Sequence, residues 1–138
     1  MKVMLDETIG AVMPSRAHET DAGLDLYSPV RVVLRPNDWV KIDTGVHVEI
    51  PKGYVGMITS KSGLMAKHGI TSRGTIDCGY TGSICAVLFN HSDKTYIIEK
   101  GDKITQLVIV PIVTPTLELV DTLEATDRGS GGFGSTGK

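Results

Sequence analysis

The chain has 138 residues, 41% of them hydrophobic, which is enough to build the core of one compact domain. Its formal net charge of −2 argues against a dedicated nucleic-acid-binding protein, which would usually be basic. No run approaches the ~18 apolar residues of a membrane span, and the first ten residues lack the apolar stretch of a signal peptide, so we expect a cytoplasmic protein that does not enter a membrane.

Short runs of alternating apolar and polar residues dominate the chain, and turn-forming residues bound most of them. In the run 46–50, Val46, Val48 and Ile50 face one side of the predicted strand and the residues between them face the other. Runs of this kind occupy 2–5, 30–34, 46–50, 54–59, 83–89, 96–99 and 103–112. The segment 63–68 is the one helix that the pattern predicts. Many short strands at this spacing predict an all-β sandwich or barrel.

The hydrophobic core is expected to consist of Val, Ile and Leu, because aromatic residues make up only 5% of the chain. The apolar run 107–112 barely alternates, so we expect the last strand to be buried on both sides, with another subunit as one possible cover. The cysteines Cys78 and Cys85 have no metal-binding spacing and are expected to be reduced thiols.

The last eleven residues differ from the rest in composition. Five of the eleven residues in 128–138 are glycine, and almost none can be buried, so we expect a flexible arm attached to a folded domain over 1–127. Phe133 is the one aromatic residue of this arm. The arm could be an ordinary mobile terminus, or its cations, hydroxyls and ring could close on a phosphate-bearing ligand.

Three further segments carry side chains suited to chemistry, and each also has a purely structural interpretation. The segment 74–82 predicts a β-hairpin with Asp77 and Tyr80 near its tip, although Asp and Gly also serve turns. The segment 60–63 opens the predicted helix and could bind an anion or simply cap the helix. The carboxylates of Asp21 and Asp25 could cap a loop or lie near a metal.

Taken together and in order, five segments resemble the five motifs of the trimeric dUTPase family. They are AGLDLYS at 22–28, SKSGL at 60–64, GTIDCGYTG at 74–82, GDKITQL at 101–107 and RGSGGFGSTG at 128–137. One such motif would be weak support, but five in register across nearly the whole chain favour the functional interpretation of each.

The resemblance implies a jelly-roll-like β fold and a homotrimer. In this family the first, second and fourth motifs of a site come from one subunit, the hairpin from a second and the C-terminal arm from the third. The implied activity is Mg²⁺-dependent hydrolysis of dUTP to dUMP and pyrophosphate. This reaction would limit uracil incorporation into DNA and supply dUMP for thymidylate synthesis.

Carried over residue by residue, the resemblance gives Asp77 the role of general base for the attacking water. Tyr80 would lie beneath the deoxyribose and leave no room for a 2′-hydroxyl, while Phe133 of the arm would stack on the uracil. Asp25 would contact Mg²⁺ through water. The remaining predicted substrate contacts are Lys61, Ser62, Gly63, Gly74, Thr75, Ile76, Cys85, Gln106, Arg128, Gly134, Ser135 and Thr136.

Three features depart from the family pattern. Lys61 stands where the second motif usually carries Arg, which keeps the charge but loses the planar fork of a guanidinium. The stretch 68–77 is short and lacks an Asn that some members place against the base. Gly79 stands where many members have a second Asp, a change that we expect to be harmless.

Two other functions fit parts of the same pattern. A dCTP deaminase shares the fold, but its chemistry needs a Glu near the base, and the hairpin at 74–82 has none. A nucleotide-gated binding protein would use the same site to switch partners while hydrolysing slowly. The side chains do not distinguish it from an enzyme.

Overall fold

The computed structural model describes residues 1–135, and it is built almost entirely of β-strands. A 3₁₀ turn covers Glu7–Ile9 and a single described α-helix, α1, covers Ser62–His68. The strands are β1 Val3–Leu5, β2 Gly23–Tyr27, β3 Val32–Leu34, β4 Trp39–Asp43, β5 Val46–Val48, β6 Tyr54–Thr59, β7 Ile70–Ile76, β8 Cys85–Asn90, β9 Tyr96–Ile98 and β10 Lys103–Pro111. The all-β prediction with one short helix is confirmed.

The strands form one curled sheet and two small ones. The main sheet has six strands in the order β2-β10-β6-β7-β8-β4, and the pairs β1-β5 and β3-β9 form two-stranded sheets. All of these pairings are antiparallel. Non-consecutive neighbours such as β2 and β10 show that the chain crosses between layers, which is the jelly-roll-like arrangement that was predicted.

Two apolar clusters make up the core, and both consist of aliphatic side chains, as expected. The first cluster lies under β2, β5, β6 and β10 and contains Leu26, Val46, Val48, Ile50, Ile58, Ile84 and Leu107. The second lies under β3, β4, β7, β8 and β9 and contains Leu34, Ile42, Ile70, Ala86, Leu88, Ile98 and Ile104. Burial of these side chains supplies most of the driving force for folding.

The alternating runs locate most strands but miss three. Strand β6 has the predicted bounds, whereas β2, β4 and β7 lie outside every run, although the predicted hairpin at 74–82 includes the last three residues of β7. In β2, Asp25 and Leu26 are both buried, so the strand does not alternate. In β4 the inward residues are only Val40 and Ile42, and its three other side chains are exposed.

The chain beyond β10 is exposed. Leu107 is fully buried, but Val110 and Ile112 are exposed. The second half of the apolar run 107–112 is therefore not buried on both sides within one chain. Further on, Leu117 and Leu119 are 92% and 100% exposed. Among the described residues, no helix has the length and apolarity that crossing a membrane requires.

Candidate active site

A slot opens where the main sheet divides between β7 and β8. The two strands pair only from Ile70↔Asn90 to Ser72↔Leu88, and from Arg73 onward β7 pairs with β6 instead. The resulting cavity of about 310 Å³ is lined by Ile58, Arg73, Gly74, Thr75, Ile76, Asp77, Tyr80, Ser83, Cys85 and Val87. Because the facing edges of β7 and β8 do not pair there, their backbone N–H and C=O groups are available to a ligand.

Asp77 lies in a tight turn at the mouth of this slot. The Tyr80 N–H donates to the Asp77 carbonyl at 3.1 Å, which closes the turn, and Gly79 has φ +89°. A residue with a side chain is strained at that φ, so glycine suits the position where many family members have Asp. The Asp77 carboxylate is exposed and belongs to the lining of the slot.

Tyr80 forms one wall of the slot mouth. Its hydroxyl donates to the Ser83 carbonyl at 3.0 Å, and the residue is 46% exposed. A Cβ at Gly82 would lie 2.4 Å from the Tyr80 hydroxyl oxygen, so the ring can occupy this position only because residue 82 is glycine.

A second centre forms around Asp25 on β2. Asp25 is only 6% exposed, and its Oδ1 accepts from Lys61 Nζ while its Oδ2 accepts from Lys103 Nζ at 2.8 Å. Burial by itself would raise the pKa of Asp25, but hydrogen bonds from Lys103 and Lys61, together with their charges, bring the pKa below its ordinary value of 3.8. The carboxylate is therefore held ionised between two cations.

A cavity of about 340 Å³ adjoins this centre and is lined by Asp25, Lys61 and Gln106, among others. The Gln106 Nε2 donates to the Ser60 carbonyl at 3.1 Å, which fixes its amide. A Cβ at Gly23 would lie 2.0 Å from Gln106 Oε1, so the first motif needs glycine at 23 to accommodate the glutamine of the fourth motif.

The start of α1 has no side-chain cap. Lys61 is the N-cap residue, and its side chain makes no capping hydrogen bond. The Ser60 hydroxyl, one residue earlier, accepts from the Ser72 N–H at 2.9 Å instead of from a helix N–H. The capping interpretation of 60–63 is therefore wrong, and Ser62 and Gly63 are exposed in the first turn of the helix, where N–H groups have no partner within the helix.

The arm residues make only local contacts in the described part of the chain. Arg128 Nε donates to the Gly131 carbonyl at 3.0 Å, and the Ser135 N–H donates to the Gly132 carbonyl at 3.1 Å. Phe133 is fully exposed. Gly134 belongs to the same exposed turn, and Thr136 lies outside the described residues.

Within one chain the two centres are far apart. Across the main sheet, Asp25 pairs with Gln106, Gln106 with Thr59, and Thr59 with Arg73. Three strand spacings of about 4.8 Å place Arg73 roughly 14 Å from Asp25 along the sheet, and Asp77 lies four residues beyond Arg73. The Asp25 and Asp77 of the same chain therefore do not face one small site.

Comparison with known proteins identifies the family. The dUTPase family model matches residues 10–137. A deoxyuridine 5′-triphosphate nucleotidohydrolase of Clostridium tetani is 45% identical over 131 residues, which cover 93% of this chain and 90% of the relative. The corresponding protein of Clostridium novyi is 43% identical and covers 99% of both chains. This chain belongs to the dUTPase family.

Solved dUTPase structures have the same fold. The Staphylococcus bacteriophage 80alpha dUTPase with dUPNHPP has a TM-score of 0.92 and 39% identity, covering 99% of this chain and 98% of that one. A mutant dUTPase of phage phi11 of S. aureus, described as revealing the coordination of a structural Mg(II) ion, has a TM-score of 0.81 and 38% identity over 90% of this chain and 98% of that one. The expected family and fold are both confirmed.

The residues assigned from the dUTPase motifs fall into three groups in the structure. The slot holds Asp77, Tyr80, Gly74, Thr75, Ile76 and Cys85; the Asp25 centre holds Asp25, Lys61 and Gln106 near the α1 residues Ser62 and Gly63; the arm holds Arg128, Phe133, Gly134 and Ser135. The sequence reasoning missed Lys103, whose only signal was its place inside the fourth motif.

The two-lysine environment of Asp25 gives a pH prediction for this dUTPase. Because the folded-state pKa lies below the unfolded-state value, the ionised carboxylate stabilises the fold above the unfolded-state pKa. This stabilisation is lost as pH falls through the lower folded-state pKa. We expect Asp25→Asn to have a lower melting temperature than wild type near pH 7, with the difference shrinking as pH falls below the ordinary Asp pKa of 3.8 and through the lower folded-state pKa. Thermal unfolding across this range measures the effect, with the exposed Asp93→Asn as control. A pH-independent difference would contradict the ionised pair.

Proposed function

We propose that this chain hydrolyses dUTP to dUMP and pyrophosphate. The observation that carries the proposal is the slot between β7 and β8, which has unpaired strand edges along its walls and Asp77 and Tyr80 at its mouth. Membership of the dUTPase family supports the same reaction. In the cytoplasm, the reaction would lower the dUTP available to DNA synthesis and supply dUMP for thymidylate synthesis.

Uracil recognition is assigned to the backbone of the slot. The strand edges at Gly74, Thr75, Ile76 and Cys85 offer N–H and C=O groups to the uracil O4 and N3–H. Cytosine presents the reversed pattern at these positions and would leave buried groups without partners, which disfavours it. A Cβ at Gly74 would meet only Ile58, at an ordinary contact distance of 3.5 Å, so the fold itself does not require glycine at this position. A ligand that approaches the backbone closely would require it.

Asp77 is assigned as the general base. Its carboxylate would accept a proton from a water molecule as the water oxygen attacks the α-phosphorus of dUTP. The bond from the α-phosphorus to the bridging oxygen breaks, and pyrophosphate leaves. A carboxylate is a weak base, so much of the rate must come from the placement of the water relative to the phosphorus.

The triphosphate is assigned to the Asp25 centre and the start of α1. Lys61 and Gln106 line the cavity beside Asp25, and Ser62 and Gly63 follow Lys61 directly as the first residues of α1. A Cβ at Gly63 would meet nothing within 4 Å, so here too the fold itself does not demand glycine.

Mg²⁺ fits this centre only as an ion held through phosphate oxygens and water. Residues 1–135 contain no group of three metal-ligating side chains, so direct coordination by the protein does not suit the donor set. Asp25 fits as an acceptor for metal-bound water, because each carboxylate oxygen can accept a second hydrogen bond beside its lysine. Bound Mg²⁺ would neutralise the phosphate charge and orient the phosphate oxygens.

We further propose a homotrimer with sites shared between chains. Asp25 and Asp77 of one chain lie too far apart to act on one nucleotide. In a trimer, the Asp25 of one chain and the Asp77 of a neighbouring chain could contribute to the same site. Exposed apolar side chains such as Val113, Leu117 and Leu119 also need a cover that the described chain does not provide. The arm 128–138, beyond a domain at 1–127, would then close over a neighbour's nucleotide, with Arg128, Ser135 and Thr136 on phosphate and Phe133 on uracil.

The test is pyrophosphate release from dUTP and the eight common ribo- and deoxyribonucleoside triphosphates, with and without Mg²⁺. We expect rapid release from dUTP alone, and much slower release when EDTA removes the metal. Ammonia from dCTP would instead indicate the deaminase. Tight dUTP binding without appreciable turnover would indicate a nucleotide-gated binding protein, a role for which the phage 80alpha dUTPases, described as controlling transfer of virulence genes by a G protein-like mechanism, give a precedent.

Tyr80 gives a prediction about sugar selection. Because its ring blocks the space that a 2′-hydroxyl would need, Tyr80→Ala should raise kcat/KM for UTP relative to dUTP by roughly 10- to 100-fold. Steady-state kinetics with both nucleotides measures the ratio. The matched control is Tyr54→Ala, which removes another exposed tyrosine outside the slot. An unchanged ratio in Tyr80→Ala would remove the sugar-sensing role from this residue.

A further inference from the structure

The segment 80–83, which carries the ring of Tyr80, is hydrogen-bonded to two neighbouring strands, β4 and β5, through side chains outside all five motifs. The Ser83 hydroxyl donates to Asp43 Oδ1 at the end of β4. The Thr81 carbonyl accepts from His47 Nδ1 on β5 at 2.8 Å. Between these two ties the segment has Gly82, whose backbone is intrinsically flexible.

Asp43 projects from a rigid part of the barrel. Its Oδ1 also accepts from the Gly45 N–H at 2.9 Å. Thr44, between them, is fully buried, and its N–H and hydroxyl both donate to the Ile84 carbonyl, at 3.1 and 2.6 Å. A Cβ at Gly45 would lie 2.7 Å from the Ala11 side chain, so the turn 43–45 is also tightly packed against Ala11.

Two hydrogen bonds connect the turn 43–45 to the Tyr80 ring through Ser83. Asp43 holds the side chain of Ser83, and the carbonyl of the same Ser83 accepts from the Tyr80 hydroxyl at 3.0 Å. The path therefore fixes the far end of the ring. A ring fixed at its hydroxyl cannot swing away from the slot, whereas a ring on a free Thr-Gly-Ser segment could.

We infer that Asp43 is a positioning residue for substrate selection, which sets the place of the Tyr80 ring through Ser83 and so excludes the ribose 2′-hydroxyl. This inference rests on the proposed dUTP hydrolysis. Asp43 does not line the slot and would not touch the substrate. It acts on selectivity because a shift of the ring by about 1 Å decides whether one extra hydroxyl fits.

The primary test compares Asp43→Ala with Asp43→Asn by steady-state kinetics on dUTP and UTP. Asp43→Ala removes the oxygen that accepts both bonds and should raise the ratio of kcat/KM for UTP to that for dUTP by about 10-fold, through a lower KM for UTP, with kcat for dUTP within about 3-fold of wild type. Asp43→Asn keeps an amide oxygen that can accept both bonds, so it should restore the wild-type ratio.

The chain offers a matched control in Asp6. Its carboxylate makes the same kind of contacts, accepting from the Thr8 N–H at 2.9 Å and the Thr8 hydroxyl at 2.6 Å, but it is not bonded to the segment 80–83. Asp6→Ala should lose comparable stability in thermal unfolding and leave the UTP to dUTP ratio at its wild-type value. A purely structural role for Asp43 predicts the same ratio in Asp43→Ala and Asp6→Ala, and that result would overturn the inference.

A double-mutant cycle tests the path itself. Tyr80→Phe keeps the ring but loses the bond to the Ser83 carbonyl, so Asp43→Ala should add little to the UTP to dUTP ratio in that background. Fully additive effects would show that the two residues act independently and would contradict the path. Failure of wild type to hydrolyse dUTP would overturn the proposed function, whereas wild-type activity with an unaltered ratio in Asp43→Ala would overturn only this inference.

Discussion

Replacing Asp77 by Asn is expected to reduce kcat for dUTP by about 10²- to 10⁴-fold, the range typical of losing a general base. An amide has nearly the same shape as the carboxylate but cannot take up the proton of the attacking water. Because Asp77 is exposed at the mouth of the slot and contributes nothing to the core, the variant should fold and bind nucleotide as wild type does. Single-turnover kinetics and the Kd for dUPNHPP separate the two properties.

Asp93→Asn is a suitable control, because Asp93 is also an exposed aspartate but lies outside the slot. It should retain wild-type kcat. If Asp77→Asn retained a kcat within a few-fold of wild type, the base would have to be sought among other groups. If it lost nucleotide affinity as strongly as kcat, Asp77 would be a binding residue, and the proposed proton transfer would be wrong.

The sequence predicts a strand best where turn-forming residues bound an apolar run, and alternation alone is not sufficient, because β4 alternates and was missed. Strand β6 has the predicted bounds because Tyr54–Thr59 follows a Pro-Lys-Gly turn and precedes the polar start of α1. Strand β2 escaped prediction because Asp25, a charged residue, is buried beside Leu26. A local pattern cannot foresee that burial, since it depends on two lysines that lie 36 and 78 residues away in the sequence.

Some parts of the candidate site could be predicted from local sequence, whereas others depend on contacts between distant residues. The turn at Asp77 and the glycine-rich arm follow from local composition. The roles of Asp77, Tyr80 and Phe133 come from the motif resemblance and remain predictions. The slot itself depends on β7 changing partners from β8 to β6 after Ser72, which no alternation pattern encodes. The bond between Asp43 and Ser83 joins residues 40 positions apart, so nothing in the sequence signals it.

Removal of residues 128–138 is expected to leave a folded protein whose kcat/KM for dUTP falls by about 10²-fold or more. The hydrogen bonds of the described arm residues 128–135 are with 126 or with one another, and Phe133 is fully exposed, so the core does not lose contacts. The bound nucleotide, however, would lose the cation of Arg128, the stacking ring and the exclusion of bulk water. Thermal unfolding and steady-state kinetics on the truncated chain measure the two effects. Full activity after truncation would show that the arm takes no part in the site.

Mixing two inactive variants tests whether the arm serves a neighbouring chain. Asp77→Asn supplies an intact arm, and the truncated chain supplies an intact Asp77, so a trimer refolded from both can complete a site only if these parts come from different chains. With random assortment in equal amounts, about one quarter of the sites would be complete. We expect mixed samples to regain activity that neither variant has alone, with light scattering showing trimers throughout. No recovery in verified mixed trimers would mean that each arm closes over the Asp77 of its own chain, and the shared-site assembly would then be wrong.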